Sequence, residues 1–393
     1  MPEQFLHGNE VIQMQGGTRP IQTETASIIG IVGTAPDAPA ETPTDKPFLV
    51  SGPRQAAELL GETGTLAEAY DALHAQGAKV AVMVRVTENV DPAVTLANVV
   101  GDATAQTGCH ALGLAQTLLG KTPRILVAPG FTAGDATAVN PVVDALLQVA
   151  GRTRAIVVRD GPNTNETDAV TDADLYGSDR LYAVDPAVRV YDTALAQEVT
   201  RPASGYAAGL IARRDLERGF WWSPSNQVIR GITGTARPVE FHLSQPDTEA
   251  NRLNEAKVAT IVRRDGFRLW GNRAQGTDPQ WAFLSVRRTA DVIYQSIEAA
   301  HLWAIDRPFS AQLLLDVRDS VQAFGQRLVN QGALLGFSAW IDPELNTEES
   351  FRDGRLYVSF DFEPPAPLEH LIFHAYRNGD YYEDLVQRAR ATA

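Results

Sequence analysis

The chain has 393 residues, with 34 basic and 48 acidic side chains and a formal net charge of −14. That length exceeds one usual hydrophobic core and predicts two or three domains, and the acidic balance argues against nucleic acid as a partner. A single cysteine, Cys109, excludes an internal disulfide, and no apolar run approaches the roughly 20 residues of a membrane helix. The start, MPEQFLHGNE, lacks a basic region followed by an apolar run, so it does not read as a signal peptide. Synthesis and assembly in the cytoplasm, without insertion in a bilayer, are expected. The charge is uneven. Residues 252–330 carry 11 basic and 8 acidic side chains, between two acidic flanks.

Residues 1–24 hold too few large apolar side chains for a core and read as an extended arm with one short strand, VIQMQ. SIIGIVGTA (27–35) is a continuous apolar run and predicts a buried strand. After a Pro-rich loop and the short segment FLVS, Thr65 and Glu68 have capping-box spacing, and Gly77 sits where a helix ends. KVAVMVRV (79–86) is the next strand, so residues 25–90 alternate strand, helix and strand. PRILVAPG (123–130), RAIVVRDGP (154–162) and RLYAVDPAVRV (180–190) predict further strands. Asn140-Pro141 opens a helix, and 206–219 is a helix rich in small residues. The pattern is that of a parallel or mixed sheet with helices on its faces.

From 253 the texture changes. NEAKVATIVRRDG leads from a helix or turn into a strand, and 288–305 is amphipathic, with Val292, Ile293, Ile297, Ala300 and His301 along one side. Residues 310–332 form another helix, ended by Gly332. Segments 334–341, 354–364 and 368–377 predict strands, the last two making a hairpin-like pair around PPAP. Residues 378–393 read as a polar tail with one apolar patch, Leu385-Val386. The expected division is an N-terminal arm (1–24), an outer α/β region (25–252), an inner C-terminal α+β domain (253–377) and a C-terminal arm (378–393).

No chemical motif is complete. Gly30 and Gly33 lack the third glycine and the immediate helix of a dinucleotide loop, so they let a strand pack closely. His370 and His374 on a strand stand about 13 Å apart, too far for one metal. Asp160, Asp185 and Ser204-Gly205 invite a hydrolase reading, but no GxSxG occurs and the one histidine between 111 and 300 is His242. No catalytic residue, metal ligand or cofactor is therefore assigned, and an α/β hydrolase-like enzyme is the alternative reading. Trp221-Trp222 fits core or subunit interface better than a sugar or base site. The block LNEAKVATIVRRDGFRLWGNR (253–273) concentrates Arg263, Arg264, Arg268 and Arg273. Its arginines are expected to pair with carboxylates, and Phe267, Leu269 and Trp270 to be partly in the core, making the block a wall and not an anion site.

With this block the chain resembles contractile tail sheath proteins of the P2-like phage and R-type pyocin group. The resemblance also rests on HGNEVIQMQGGTRPI, ASIIGIVGTAPDA, GTLAEAYDAL, KTPRILVAPG, RRTADVIYQSIEAAHLWAIDRPF and GRLYVSFDFEPPAPLEHL. These occur in the family's order over nearly the whole chain, and the match is weakest around 160–250. The resemblance implies a structural subunit of a phage or pyocin particle, with the subunits stacked helically as hexameric rings around a tail tube. Its other implied partners are the baseplate and tail terminator proteins. A baseplate signal would trigger contraction and drive the tube through the target envelope. It further implies arms at both ends that donate strands to neighbouring subunits, an inner domain that touches the tube, and an outer domain with a subtilisin-like, non-catalytic fold. A type VI secretion sheath splits this role between two chains, whereas one chain here carries both arms.

The residues agree. A strand-forming arm without a core gains most by pairing with a sheet edge on another chain, and such head-to-tail contacts generate rings or open helices. The expected donors are Val11, Ile12 and Met14 near the start and Leu385 and Val386 near the end. The expected acceptor is the hairpin carrying Leu356, Val358, Leu371 and Phe373. For the tube contact the helix 310–332 is expected to turn Leu314, Val317, Val321, Phe324 and Leu328 inward and Arg318, Gln322 and Arg327 outward.

Overall fold

The computed structural model describes residues 20–391. The donors expected at Val11, Ile12 and Met14 lie outside these residues. Two bodies share the described chain, a large α/β body and a smaller one built on two helices and a two-stranded sheet.

The large body takes its elements in close alternation. They are β1 (Ile29–Thr34), β2 (Pro47–Val50), α1 (Pro53–Leu60), α2 (Thr65–Gln76), β3 (Ala81–Val86) and α3 (Pro92–Val100). Next come α4 (Ala115–Leu119), β4 (Ile125–Val127), α5 (Pro141–Thr153), β5 (Ile156–Asp160), α6 (Glu166–Asp174) and β6 (Leu181–Val184). Then follow β7 (Val188–Asp192), β8 (Gln197–Arg201), α7 (Ala203–Arg218), β9 (Gln227–Val228), β10 (Gly234–Thr235), α8 (Glu249–Glu255), β11 (Val258–Arg263) and β12 (Phe267–Trp270). Nine strands form one sheet in the order β2-β3-β1-β4-β5-β6-β11-β12-β9. The run from β3 to β11 is parallel and antiparallel strands close both ends.

Alternation along each strand serves two cores. Ile29, Ile31, Met83, Ile125, Val127, Ile156 and Val158 pack toward α2 and α7. Val32, Val82, Val84, Leu126 and Val157 pack on the opposite face with α5 and the 3₁₀ segment Gly108–Leu114. Covering both faces is what makes these strands read as unbroken apolar runs.

Three local expectations change here. The capping box at Thr65 does not form: Gly64 is the N-cap, and the Thr65 hydroxyl accepts the Thr34 N–H at 2.9 Å at the end of β1. A Cβ on Gly64 (φ +96°) would stand 2.5 Å from the Thr34 carbonyl oxygen, so glycine alone fits the turn. The strand expected over 180–190 divides at a cis Asp185–Pro186 peptide. Pro186 has no N–H for the ladder, and β7 leaves to form a separate antiparallel sheet, β10-β7-β8. The boundary expected after residue 252 cuts the large sheet, because β11 pairs with β6 and β12 with β11.

The smaller body contains α9 (Leu284–Ala300), α10 (Ala311–Asn330), β13 (Gly336–Ile341), α11 (Glu348–Arg352) and β14 (Val358–Glu363), and the chain ends in α12 (Tyr381–Ala391). Ser310 caps α10 by accepting the Leu313 N–H, and Gly332 (φ +77°) follows its end. Val292, Ile293, Val321, Phe324 and Leu328 cluster with Ile21 and Ala26, so these two side chains anchor the start of the described chain in the helix core while residues 22–25 between them stay exposed. β13 and β14 are antiparallel, with Phe337 opposite Phe362 and Ala339 opposite Phe360. These four side chains pack against the helix core.

The hairpin expected over 354–377 is not present. β14 pairs with β13, and residues 364–378 carry no regular secondary structure. Pro364, Pro365 and Pro367 supply no N–H, and a strand holds only against a partner edge. The expected extended tail is a helix instead. Acidic Glu383 and Asp384 in the first turn of α12 and Arg388 and Arg390 in the last match the helix dipole. Leu385 and Val386 therefore lie exposed on a helix, not on a strand. Among the described residues no helix is long and apolar enough to cross a membrane.

Candidate assembly interface

The residues that invited an enzymatic reading are structural. Asp160, at the end of β5, is buried and accepts the Ser204 N–H (2.8 Å), the Ser204 hydroxyl (2.7 Å) and the Thr132 hydroxyl (3.0 Å). Burial pushes its pKa up while the Ser204 and Thr132 bonds oppose the shift. The serine thus pins α7 to the sheet, with its proton directed at the Asp160 carboxyl group and not at a histidine. Asp185 is buried against Arg237 and accepts the Asn163 N–H at 2.7 Å. His242 contacts Ser244 in an exposed loop. No cluster of three His, Cys, Asp or Glu suited to a metal occurs among the described residues. Gly30 and Gly33 sit inside β1 for close packing. A Cβ on Gly33 would stand 2.4 Å from the Thr65 hydroxyl that holds Thr34.

The unsatisfied surface lies on the smaller body. In the two-stranded sheet each strand has only the other as partner among the described residues. The outer edge of β13 is closed at Ala339, whose N–H donates to Gln322 of α10 at 2.7 Å. The outer edge of β14 has no such cover among the described strands, and an open edge is a template for another strand. The segment after β14 is the natural complement. Leu368, Leu371, Ile372, Phe373 and Tyr376 all face solvent, Phe373 at 83% and Tyr376 at 88% exposure. Glu369 is anchored by a two-pronged ion pair to Arg273 (2.9 and 2.6 Å). Val358 is a strand residue of β14, while Leu356 precedes it and Leu371 and Phe373 are free of any sheet.

Of the three residues expected to face a tube, two turn into the chain. Gln322 caps the β13 edge, and the Arg327 guanidinium donates to the Ile21 carbonyl and stacks on Phe324. Arg318 remains accessible, paired with Asp319 at 2.5 Å. The outward stripe of α10 is Gln312, Leu315, Ala323, Gln326 and Asn330. The hydrogen-bond partners of Gln322 and Arg327 lie 17 and 306 residues away, so spacing along α10 carried no sign of them.

Between the two bodies, α9 forms a charged junction. Asp291 is buried and pairs with Arg180 (2.7 Å) and Arg287 (2.8 Å), and Arg287 also reaches Asp179 at 3.3 Å. Arg288 pairs with Asp215 at 2.5 Å and donates to the Ala26 carbonyl. In the 253–273 block, Leu269 is fully buried, Phe267 and Trp270 are half-buried, and Arg273 pairs with Glu369. Arg263, Arg264 and Arg268 do not find the carboxylates expected for them. Arg268 bonds to the carbonyls of Arg264 and Asn226, and Arg263 lies over Phe267. Trp221 packs on the smaller body's core, and Trp222 is exposed beneath Arg214 and Arg218.

Comparison with known proteins follows the same division. Residues 104–274 match the phage tail sheath protein central domain and residues 276–377 the phage tail sheath C-terminal domain. Residues 26–86 match the N-terminal region of tail sheath protein Gp18 domain III. A putative prophage major tail sheath protein of Pseudomonas aeruginosa (strain UCBPP-PA14) is 39% identical over 373 residues, covering 94% of this chain and 95% of that protein. The tail sheath protein of Escherichia phage P2 is 34% identical over 395 residues, covering 97% and 98%. Among solved structures, the PVC sheath complex of an extracellular contractile injection system, in its contracted state, superposes with a TM-score of 0.72. It has 17% identity and covers 96% of this chain and 99% of that one. The contracted helical sheath of the anti-feeding prophage gives a TM-score of 0.70 at 17% identity, covering 95% and 100%.

Proposed function

The chain belongs to the phage tail sheath family, and from that premise we propose how it works as the sheath subunit of a contractile tail. Subunits polymerise helically around a tail tube and contract to drive it through a target envelope. Its role is mechanical and not enzymatic. We assign the link between subunits to the segment 368–376, which adds as a strand to the open β14 edge of another copy. The single observation that carries this is the coincidence, among the described residues, of an uncovered edge and an exposed apolar segment in one chain. The N-terminal arm, through Val11, Ile12 and Met14, is the second donor. Donor and acceptor are different surfaces, so the contact is heterologous and propagates into rings or an open helix.

In this reading the junction between bodies follows α9 and not residue 252. The large body is the outer part, with the subtilisin-like, non-catalytic architecture that the family resemblance implies, and the smaller body faces the tube. Flexible arms let such bodies swing without separating, and the stored energy sits in the interfaces behind a kinetic barrier. Baseplate and tail terminator proteins are the expected end contacts, and the particle is a phage virion or a pyocin. Hexameric rings and assembly in the host cytoplasm belong to the same proposal.

Negative-stain electron microscopy of the full chain beside a chain ending at residue 363 tests the link. We expect hollow tubes from the first and dispersed subunits from the second. Tubes from both would remove 364–393 from the assembly mechanism. For the tube contact, only Arg318 of the three expected residues remains on the surface. Arg318→Glu should reduce assembly on purified tail tubes and leave tube-free polymer intact. Undiminished loading on tubes would displace the contact from this part of α10.

A further inference from the structure

The turn between β11 and β12 presents a group of cations that the acidic chain leaves unmatched. Arg263 stacks on Phe267 at 5.8 Å, and Arg268 donates to the Arg264 carbonyl at 2.9 Å and the Asn226 carbonyl at 2.9 Å. Arg189 of the neighbouring sheet donates to the Ala236 carbonyl at 3.2 Å. It shares the surroundings of Gly234 with the Phe267 ring. Among the described residues none of these four arginines forms an ion pair, although the chain carries 48 acidic side chains. Asp265 at the turn is exposed and likewise makes no ion pair. Arg263, Arg264 and Arg268 lie within six residues of one another at this turn, so their like charges repel in the separate subunit. Their planar forks suit carboxylates.

The complementary surface lies on the same chain. The connection from β13 to β14 holds Asp342, Glu344, Glu348, Glu349 and Asp353. Arg352 pairs with Glu348 and Arg355 with Asp353, which leaves Glu344 and Glu349 exposed and without an ion pair among the described residues. Leu345 beside them is 49% exposed, and Val228 beside the arginine turn is 36% exposed. Each surface thus combines like charges with an apolar contact.

We infer that the Arg263–Arg268 turn of one subunit docks on the acidic 342–349 connection of a second copy of this chain. The inference rests on the helical assembly proposed above and names a second contact for it, independent of the strand link. Two different, complementary patches on one chain are what a heterologous contact requires. Charge matching of this kind sets register and the rate of encounter, and salt weakens it.

The test is polymerisation by sedimentation and negative-stain microscopy across a salt series, with each variant's fold checked by circular dichroism. R263E/R264E is expected to raise the concentration needed for polymer at least about tenfold, and E344R/E349R to do the same. Combining all four substitutions restores polymer. R263Q/R264Q, which removes charge without reversing it, gives a smaller loss and a flatter salt dependence. Variants that polymerise like the wild type at every salt concentration overturn the pairing. Loss without rescue in the folded four-site variant overturns the choice of the 342–349 connection. A wild-type chain that never polymerises, with or without tail tubes, overturns the assembly reading and this pairing with it.

Discussion

The two bodies solve the edge problem of a β-sheet in different ways. In the large one, nine strands run from β2 to β9 and helices bury both faces. Its parallel centre is closed by antiparallel strands at both ends, and the outermost, β9, is two residues long. A short edge strand offers little to a passing chain. In the smaller body a two-stranded sheet leans on α9 and α10, with Phe337, Phe360 and Phe362 only partly buried. Gln322 closes one edge, and nothing in the described chain closes the other. A two-stranded sheet is marginal alone in water. The large body closes its sheet within the described chain, whereas the smaller one leaves an edge that the proposed strand link would complete.

The sharpest way to break that comparison is to cut the junction. Asp291→Ala removes the carboxylate that neutralises Arg180 and Arg287 and leaves both buried or nearly so. Removing one partner of a buried ion pair costs about 3–5 kcal/mol. Chemical denaturation should show the smaller body unfolding first, as a separate transition ahead of the large sheet. A single transition at the wild-type denaturant concentration would show that the smaller body does not depend on the large one through α9.

The same contrast decides what the sequence made legible. In the large body the signals were local. Apolar runs marked β1, β3 and β5, and Asn140 before Pro141 capped α5, accepting the N–H of Val142 as expected. Misreadings arose where a distant group took a local partner. Thr65 had the spacing of a cap, but the end of β1, 31 residues earlier, claimed its hydroxyl. Pro186 was a visible break that the apolar run on either side concealed.

In the smaller body the failures have one cause. Residues 368–377 read as a strand paired within the chain, and the structure gives them no regular secondary structure. The Glu383-Asp384 and Arg388-Arg390 order favoured a helix over a strand in the tail and went unused. Gln322 and Arg327 looked outward because the groups they bind, Ala339 N–H and the Ile21 carbonyl, become neighbours only on folding. Arg263 and Arg268 were expected to find carboxylates and found a ring and carbonyls instead, while Leu269 is buried as expected.

A finer probe asks how firmly α10 holds the small sheet without any neighbour. Gly325 lies on the inner side of α10, and a Cβ there would stand 1.9 Å from the Phe337 ring of β13. Two effects compete in Gly325→Ala. Alanine favours the helix by up to about 1 kcal/mol, while overpacking against a core ring costs typically about 1–3 kcal/mol. Phe337 sits between α10 and the stacked Phe360 ring, 5.7 Å away, so it cannot retreat without moving β14. The net expectation is a loss of roughly 1–2 kcal/mol, confined to the smaller body and read from hydrogen exchange in β13 and β14. Polymerisation should weaken as well, since the acceptor edge shifts with its sheet. Unchanged exchange in β13 and β14 would mean that the sheet already moves freely over α10. Its order would then come entirely from the strands that neighbouring subunits add.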